Sequence, residues 1–275
     1  MGAEEATVPR EAARRHRKRR TTQGMRVTFL GCAGGLATLA KGTTVRTHAR
    51  PFSLAPGTIM ADGIELRTFT HIDSLQPQVA SFIATVAKGF LPLEGQTALL
   101  CEVAPGMSVN MVTDAVLKKT SVVPGMLIVE RAFGMLEVHS DDQGQIQAAG
   151  QAVLDAYGMK LEDRLKPRIM SSQIITGVEG YHTMLINRMR HGDMILQGQT
   201  MYVLEVHPAG YALLATNEAE KAANIKVMEM ITTGAFGRVW LGGDEENISQ
   251  AAKAIENVLA AVTGRENKGD GAKAA

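Results

Sequence analysis

The sequence predicts an α+β fold built twice: two tandem domains, each an antiparallel sheet with helices packed on it. The first observation is an internal repeat at a fixed offset of 103 residues. Gly95-Gln96-Thr97 returns as Gly198-Gln199-Thr200, Glu102-Val103 as Glu205-Val206 and Pro105 as Pro208. Lys118 returns as Lys221, Ala132-Phe133-Gly134 as Ala235-Phe236-Gly237, Asp141 as Asp244 and Ala148-Ala149 as Ala251-Ala252. A spacing kept over so many turns, strands and helices means a duplicated domain and not a solenoid of short units. The second observation is length, since 275 residues leave room for two cores of ordinary size. The third is the alternation of short apolar runs with helical periodicity, punctuated by Gly and Pro.

In the first copy, Leu66 to Ile72 reads as a strand. Pro77 to Val86 reads as a helix, with Val79, Phe82, Ile83 and Val86 on one face. After Gly95-Gln96, Thr97 to Val103 is a buried apolar strand, and Pro105-Gly106 turns the chain. Val109, Val112, Val116 and Leu117 then mark one face of a helix running to about Lys119. Pro124-Gly125 precedes a strand from Met126 to Val129, and a tight turn at Ala132-Phe133-Gly134 leads into Met135 to Val138. Asp141-Asp142 is a helix N-terminal region, followed by Ile146, Ala149, Val153 and Leu154 on a closing helix.

The second copy repeats the order. Strand Ile169 to Ile175 is followed by helix Thr183 to Met189, strand Thr200 to Val206 and helix Tyr211 to Ala223. Strand Lys226 to Met230, a turn from Gly234 to Gly237, strand Arg238 to Leu241 and helix Glu245 to Ala261 complete it. In each copy, two helices on one face of the sheet are expected. The domains then span residues 58–162 and 163–265, joined by the short stretch from Gly158 to Pro167, with a disordered tail at 266–275.

Residues 1–57 differ in character. A dense basic run from Arg14 to Arg20 precedes a Gly-, Ala- and Thr-rich apolar stretch from Val27 to Ala40. The pair resembles a signal-peptide layout, with Leu30-Gly31-Cys32 faintly like a lipoprotein site; Met25 as the true start is another reading. The preferred reading is a disordered basic extension, because like charges repel and nothing there forms a core. The apolar stretch is too short to span a bilayer, so no membrane partner is expected. A net charge of +1 and 4% aromatics argue against nucleic acid as a partner. Cys32 and Cys101 form no CxxC motif, which fits a reducing cytoplasm.

Several strings together carry a resemblance. They are Asp73-Ser74-Leu75-Gln76-Pro77-Gln78, Gly89-Phe90-Leu91-Pro92, the run from Ile128 to Gly134, Leu185-Ile186-Asn187-Arg188 and Pro208-Ala209-Gly210-Tyr211. The runs from Asn217 to Ile225 and from Gly234 to Arg238 complete the set. The chain resembles the tandem-domain class of bacterial microcompartment shell proteins, in the circularly permuted form and closest to the alpha-carboxysome type. The resemblance covers about Ile64 to Val262. It implies a bacterial cytoplasmic protein of the carboxysome shell, in which three chains form a pseudohexameric plate that tiles with other shell proteins. Two such homotrimers are able to stack as a dimer of trimers around a chamber. A central pore would be lined by Glu130, Arg131, Ala132, Phe133 and Gly134 and by Thr233, Gly234, Ala235 and Phe236. The family's gating acid and base fall on Glu130 and Arg131, and its plate-edge lysines on Lys118 and Lys221.

Physically, the two turns agree at Ala-Phe-Gly and differ just before it, where Glu130 faces Thr233 and Arg131 faces Gly234. In a threefold ring, three carboxylates and three guanidiniums would surround one axis. Like charges so close must pair or hydrate, which gives an open and a closed arrangement. Arginines there would favour anionic metabolites such as sugar phosphates; the subtype resemblance points to ribulose bisphosphate and phosphoglycerate. The bland alternative is an ordinary Glu-Arg ion pair at a subunit contact, with Phe133 and Phe236 as packing residues. For Lys118 and Lys221 it is a solvated helix end.

The chain has no HExxH, Walker, GxGxxG or GxSxG motif, and its histidines lack ligand spacing, so neither catalysis nor a metal or cofactor is expected. Asn247-Ile248-Ser249 fits a glycosylation pattern that a cytoplasmic chain would not use. Two alternatives stay open at this point: a trimeric regulator binding a small effector between subunits, and a shell protein of a catabolic microcompartment.

Overall fold

The computed structural model describes residues 63–268, together with the segments Ala37–Thr38 and Thr44–Val45, which pair antiparallel. The basic run, Met25, Cys32 and the start assigned to the first domain lie outside the described residues, as do residues 269–275.

The first copy runs β1 (Glu65–Ile72), α1 (Pro77–Val86), β2 (Thr97–Ala104), α2 (Val109–Lys119), β3 (Val123–Glu130), β4 (Phe133–Ser140) and α3 (Gln143–Tyr157). The second runs β5 (Arg168–Ile175), α4 (Gly180–Met189), β6 (Thr200–His207), α5 (Tyr211–Ala222), β7 (Lys226–Ile231), β8 (Gly237–Gly243) and α6 (Glu245–Ala261). Each copy is a four-stranded antiparallel sheet, ordered β1-β2-β4-β3 and β5-β6-β8-β7.

Local chemistry sets most boundaries. Pro77 occupies the first turn of α1, where its missing N–H costs nothing. The Asp142 carboxylate accepts from Gly144 N at 2.7 Å at the start of α3, and Gly158 ends that helix in the left-handed region at φ 64°. Helix α4 begins at Gly180, earlier than the periodicity of Thr183 to Met189 suggests. The Glu179 carboxylate accepts from Tyr181 N at 2.7 Å and nucleates the extra turn. Strand β3 likewise starts at Val123 and takes in Pro124, through a register shift between Pro124 and Met126.

The two helices expected on one face of each sheet are there, and the structure adds a third helix on the opposite face. Leu99, Cys101, Leu136 and Val138 face α2 and α3, whereas Ala98, Leu100 and Met135 belong to the cluster of Val79, Phe82 and Ile83 on α1. Strand β2 is buried along nearly its whole length, the mark of a strand covered on both sides. The α1 face also buries Glu137 and His139, paired at 3.2 Å, and burial pushes the Glu137 carboxyl up.

Helix α1 also joins the copies. Its start is clamped by the second copy: Gln76 N donates to Asn217 Oδ1 at 2.9 Å, and Gln78 N and Val79 N donate to Glu220 at 2.8 and 3.1 Å. The Gln78 side chain donates to Ile225 O at 2.7 Å and accepts from Val227 N at 2.8 Å. Around this clamp, α1 and the α5–α6 face of the second sheet share one apolar cluster. The second copy's end returns to the linker, where Arg265 bridges Leu165 in parallel. Glu266 pairs with Lys166 at 2.6 Å and Asn267 donates to Lys166 O at 2.9 Å, so these positions, assigned to the tail, are bonded.

Candidate functional site: the paired turns

The β3–β4 and β7–β8 turns each cross a position that demands left-handed backbone. Arg131 sits there at φ 52° and its counterpart Gly234 at φ 94°. Glycine accepts that geometry freely, whereas an arginine is strained by about 1 kcal/mol or more. Glu130, Arg131 and Ala132 are exposed, as is Ala235; Phe133, Thr233, Gly234 and Phe236 are half-buried and Gly134 is buried.

The two turns meet within one chain. Thr233 Oγ1 donates to Glu130 Oε2 at 2.7 Å. A Cβ on Gly234 would stand 3.3 Å from Glu130 Oε1, so a glycine there also makes room for the carboxylate. The Glu130 carboxylate is thus engaged across the repeat, by the very residue that replaces it in the second copy.

Beneath the turns, each phenylalanine rests on a different cationic or titratable group. The Arg67 guanidinium lies 3.7 Å from the Phe133 ring centroid, and Phe236 meets the His207 ring edge-on at 5.8 Å. Arg67 is fully buried, its Nε donating to Glu102 Oε1 at 3.1 Å. Glu102 also accepts from Thr68 Oγ1 at 2.9 Å and from Gly210 N at 3.1 Å in the second copy. Burial raises the Glu102 carboxyl above its ordinary range, against the opposing pull of Arg67 and these donors. Sequence reasoning passed over Arg67, Glu102 and His207. A charged residue inside the apolar strand Leu66 to Ile72 was the available signal.

The two lysines occupy different settings. Lys221 Nζ reaches Asp73 Oδ1 at 2.6 Å and Glu218 Oε1 at 2.9 Å, across the joint between the copies. That hydrogen bond holds the Asp73 carboxyl below its usual range; burial opposes the Lys221 charge, but the two carboxylates outweigh it and raise its pKa. Lys118 Nζ meets Asp114 Oδ2 at 2.5 Å on the exposed side of α2. Among the described residues no cluster of three or more His, Cys, Asp or Glu could hold a metal ion. No described helix is long and apolar enough to cross a membrane.

Residues 66–163 match the family model described as the CsoS1D N-terminal domain. The chain is 48% identical over 208 residues to the carboxysome shell protein CcmP of Synechococcus elongatus, covering 76% of this chain and 98% of that one. It is 46% identical over 203 residues to the carboxysome shell protein CsoS1D of Hydrogenovibrio crunogenus, covering 74% and 99%. Among solved structures it superposes on the fused permuted hexameric shell protein MSM0275 from the RMM microcompartment, with TM-score 0.71, 47% identity and coverage of 73% and 99%. The double ringed trimeric shell protein MSM0271 from the same microcompartment also gives TM-score 0.71, at 38% identity and coverage of 74% and 99%.

Proposed function

The chain belongs to the family of carboxysome shell proteins typified by CcmP and CsoS1D, and from that premise we propose that three copies close into a pseudohexameric plate of the carboxysome shell, with a gated pore for anionic metabolites. The observation that carries the ring is an asymmetry of exposure between equivalent positions. Phe82 on α1 is 3% exposed against the second copy, whereas Leu185, its counterpart on α4, is 62% exposed. On the receiving side, Met230 is 4% exposed while its counterpart Leu127 is 46% exposed. Met111 and Val129 are exposed where Leu214 and Thr232 are buried. These residues, which one copy covers on the other, thus have uncovered twins at the free ends of the chain. Docking α4 onto the α2–β3 side of the next chain repeats the observed joint. A heterologous contact of this kind closes when the rotation allows, and six domains then make a ring from three chains.

Exposed apolar tips remain after closure. Leu91 and Leu93 in the first copy and Met194 and Leu196 in the second are exposed at equivalent positions, so the observed joint covers neither set. They provide a surface on which a second plate would stack.

At the axis, the ring gathers three copies of the first turn and three of the second. Arg131 supplies guanidiniums suited to phosphate oxygens, and Glu130 supplies carboxylates now held by Thr233. Swinging Glu130 from Thr233 to a guanidinium would exchange one hydrogen-bonded state for another, as a gate requires. Sugar phosphates such as ribulose bisphosphate and phosphoglycerate fit that chemistry. The test is Glu130→Ala together with Arg131→Ala, followed by imaging of assembled plates. The expected result is a single, permanently open pore; unchanged open and closed populations would contradict the gate.

One observation favours a second reading, a shell protein of a different microcompartment. The identity to the RMM protein, 47%, lies between the 48% and 46% to the two carboxysome relatives. Co-purification of the tagged chain with the carbon-fixing cargo decides between them. Its absence, with another enzyme set in its place, would move the plate to that other shell.

A further inference from the structure

We propose that Glu205 and Arg238 form a polar latch that becomes buried at the junction between chains, with the next chain's Met107 seated on it; this rests on reading the chain as one third of a ring. The joint within the chain is the template. There Glu102 of the first copy is buried, and Gly210 of the second copy lies on it. The Glu102 carboxylate accepts from Gly210 N at 3.1 Å, from Thr68 Oγ1 at 2.9 Å and from Arg67 Nε at 3.1 Å. Thr68 and Met135 are its ladder partners on either side. A Cβ on Gly210 would stand 2.9 Å from Thr68 Oγ1 and 3.0 Å from Met135 Cε, so the second copy approaches this row closely.

The 103-residue offset carries each of these positions to the second copy. Glu205 answers to Glu102, with Ser171 and Arg238 as its ladder partners. Even the register shift is kept, between Leu66 and Thr68 in β1 and between Ile169 and Ser171 in β5. Around this second glutamate two residue types have changed places. Arg67 becomes Met170, and Met135 becomes Arg238. The glutamate therefore keeps a cation, moved from the edge strand to the inner one, and Arg238 Nε donates to Glu205 Oε1 at 2.9 Å. A carboxylate on a solvated surface needs no such compensation, whereas one that an incoming subunit desolvates does. In the single chain Ser171 and Glu205 are half-buried, and Met170 and Arg238 are exposed.

The same offset fixes the occupant. Met107 answers to Gly210 and is 70% exposed just before α2. Set on Glu205 as Gly210 is set on Glu102, it brings its N–H to the carboxylate and its side chain to Ser171 and Arg238. A side chain in that place needs a few tenths of an ångström more room than glycine does. The facing residues supply it: Ser171 lacks the threonine methyl and turns its hydroxyl freely, and the Arg238 stem is flexible enough to cover the thioether.

The experiment is a dilution series of the full chain followed by sedimentation, with circular dichroism verifying the fold of each variant. Arg238→Met strands Glu205 at the junction and is expected to raise the concentration of half-assembly at least about tenfold. Adding Met170→Arg to it rebuilds the inner arrangement and should bring that concentration back to within about threefold of wild type. Assembly indifferent to Arg238→Met, or no recovery on adding Met170→Arg, would overturn the latch. A second measurement tests the seat of Met107. Met107→Cys with Ser171→Cys should give covalently linked pairs and trimers of chains on mild oxidation, above the background of either single variant. Assembled rings without such links would overturn the placement. Wild type in the same series keeps the two readings apart. Wild type that stays monomeric contradicts the ring and the latch with it, whereas wild-type trimers that ignore Arg238→Met keep the ring and sink the latch alone.

Discussion

Leu185→Asp is expected to leave the chain folded and abolish the ring. Leu185 is exposed on α4 and absent from the apolar clusters of the chain, so a polar replacement costs the monomer almost nothing. In the ring it would take the place that Phe82 holds at the joint between copies. Losing its burial forfeits about 2 kcal/mol per junction, and a buried unpaired carboxylate adds several more. Three junctions carry the same penalty at once. Sedimentation should therefore show monomer at concentrations where wild type is trimeric, with an unchanged circular dichroism spectrum. Trimer formation by the variant would show that α4 does not face the next chain. The matching change on the receiving side, Leu127→Asp, should give the same outcome, and its agreement would locate both halves of the contact.

Gly134→Ala should have the largest effect on stability. The new Cβ would stand 2.2 Å from Gly106 O and 2.9 Å from Val109 Cβ, contacts with backbone and with the base of a helix. Neither neighbour can rotate away, and Gly106 N is itself bonded to Ala132 O at 2.7 Å. The first turn must shift bodily, at about 2–4 kcal/mol. For a chain of this size that lowers the melting temperature by roughly 5–15 °C. A Cβ on Gly237, its counterpart, would stand 2.3 Å from Ala209 O, so that position should respond alike. A change of Ala132→Ser on the exposed turn is the control and should leave the melting temperature in place.

The repeat made most of the fold legible, because each strand or helix found in one copy could be checked in the other. Helix α1 was readable to its ends, since Pro77 and the Val79, Phe82, Ile83 stripe mark it without help from the rest of the chain. The start of α4 was not, because it depends on the Glu179 side chain turning back onto Tyr181 N, a choice that periodicity does not record. The placement of α1 and α4 on the far face was also hidden. The all-apolar run of β2 carries the signal for burial on both sides, but such a run does not say what covers the second side. At the candidate site, Glu130 and Arg131 stood out by contrast with Thr233 and Gly234. The support beneath them did not, because Arg67, Glu102 and His207 lie far apart in sequence and meet only where two copies join.

That joint also explains why duplication suits this chain. In the proposed ring, six identical junctions would place the same residues everywhere; duplication lets the inner joint add a polar clamp to its apolar cluster. Gln78 and Glu220 clamp the inner joint, while their counterparts Tyr181 and Leu117 are exposed in the single chain.

The most direct measurement is the mass and shape of the purified full-length protein, by light scattering with single-particle imaging. The expected result is hexagonal discs of three chains, or stacked pairs of six, with the Glu130 and Arg131 turns around the central hole. A monomer or an elongated dimer would contradict the ring and remove the pore with it.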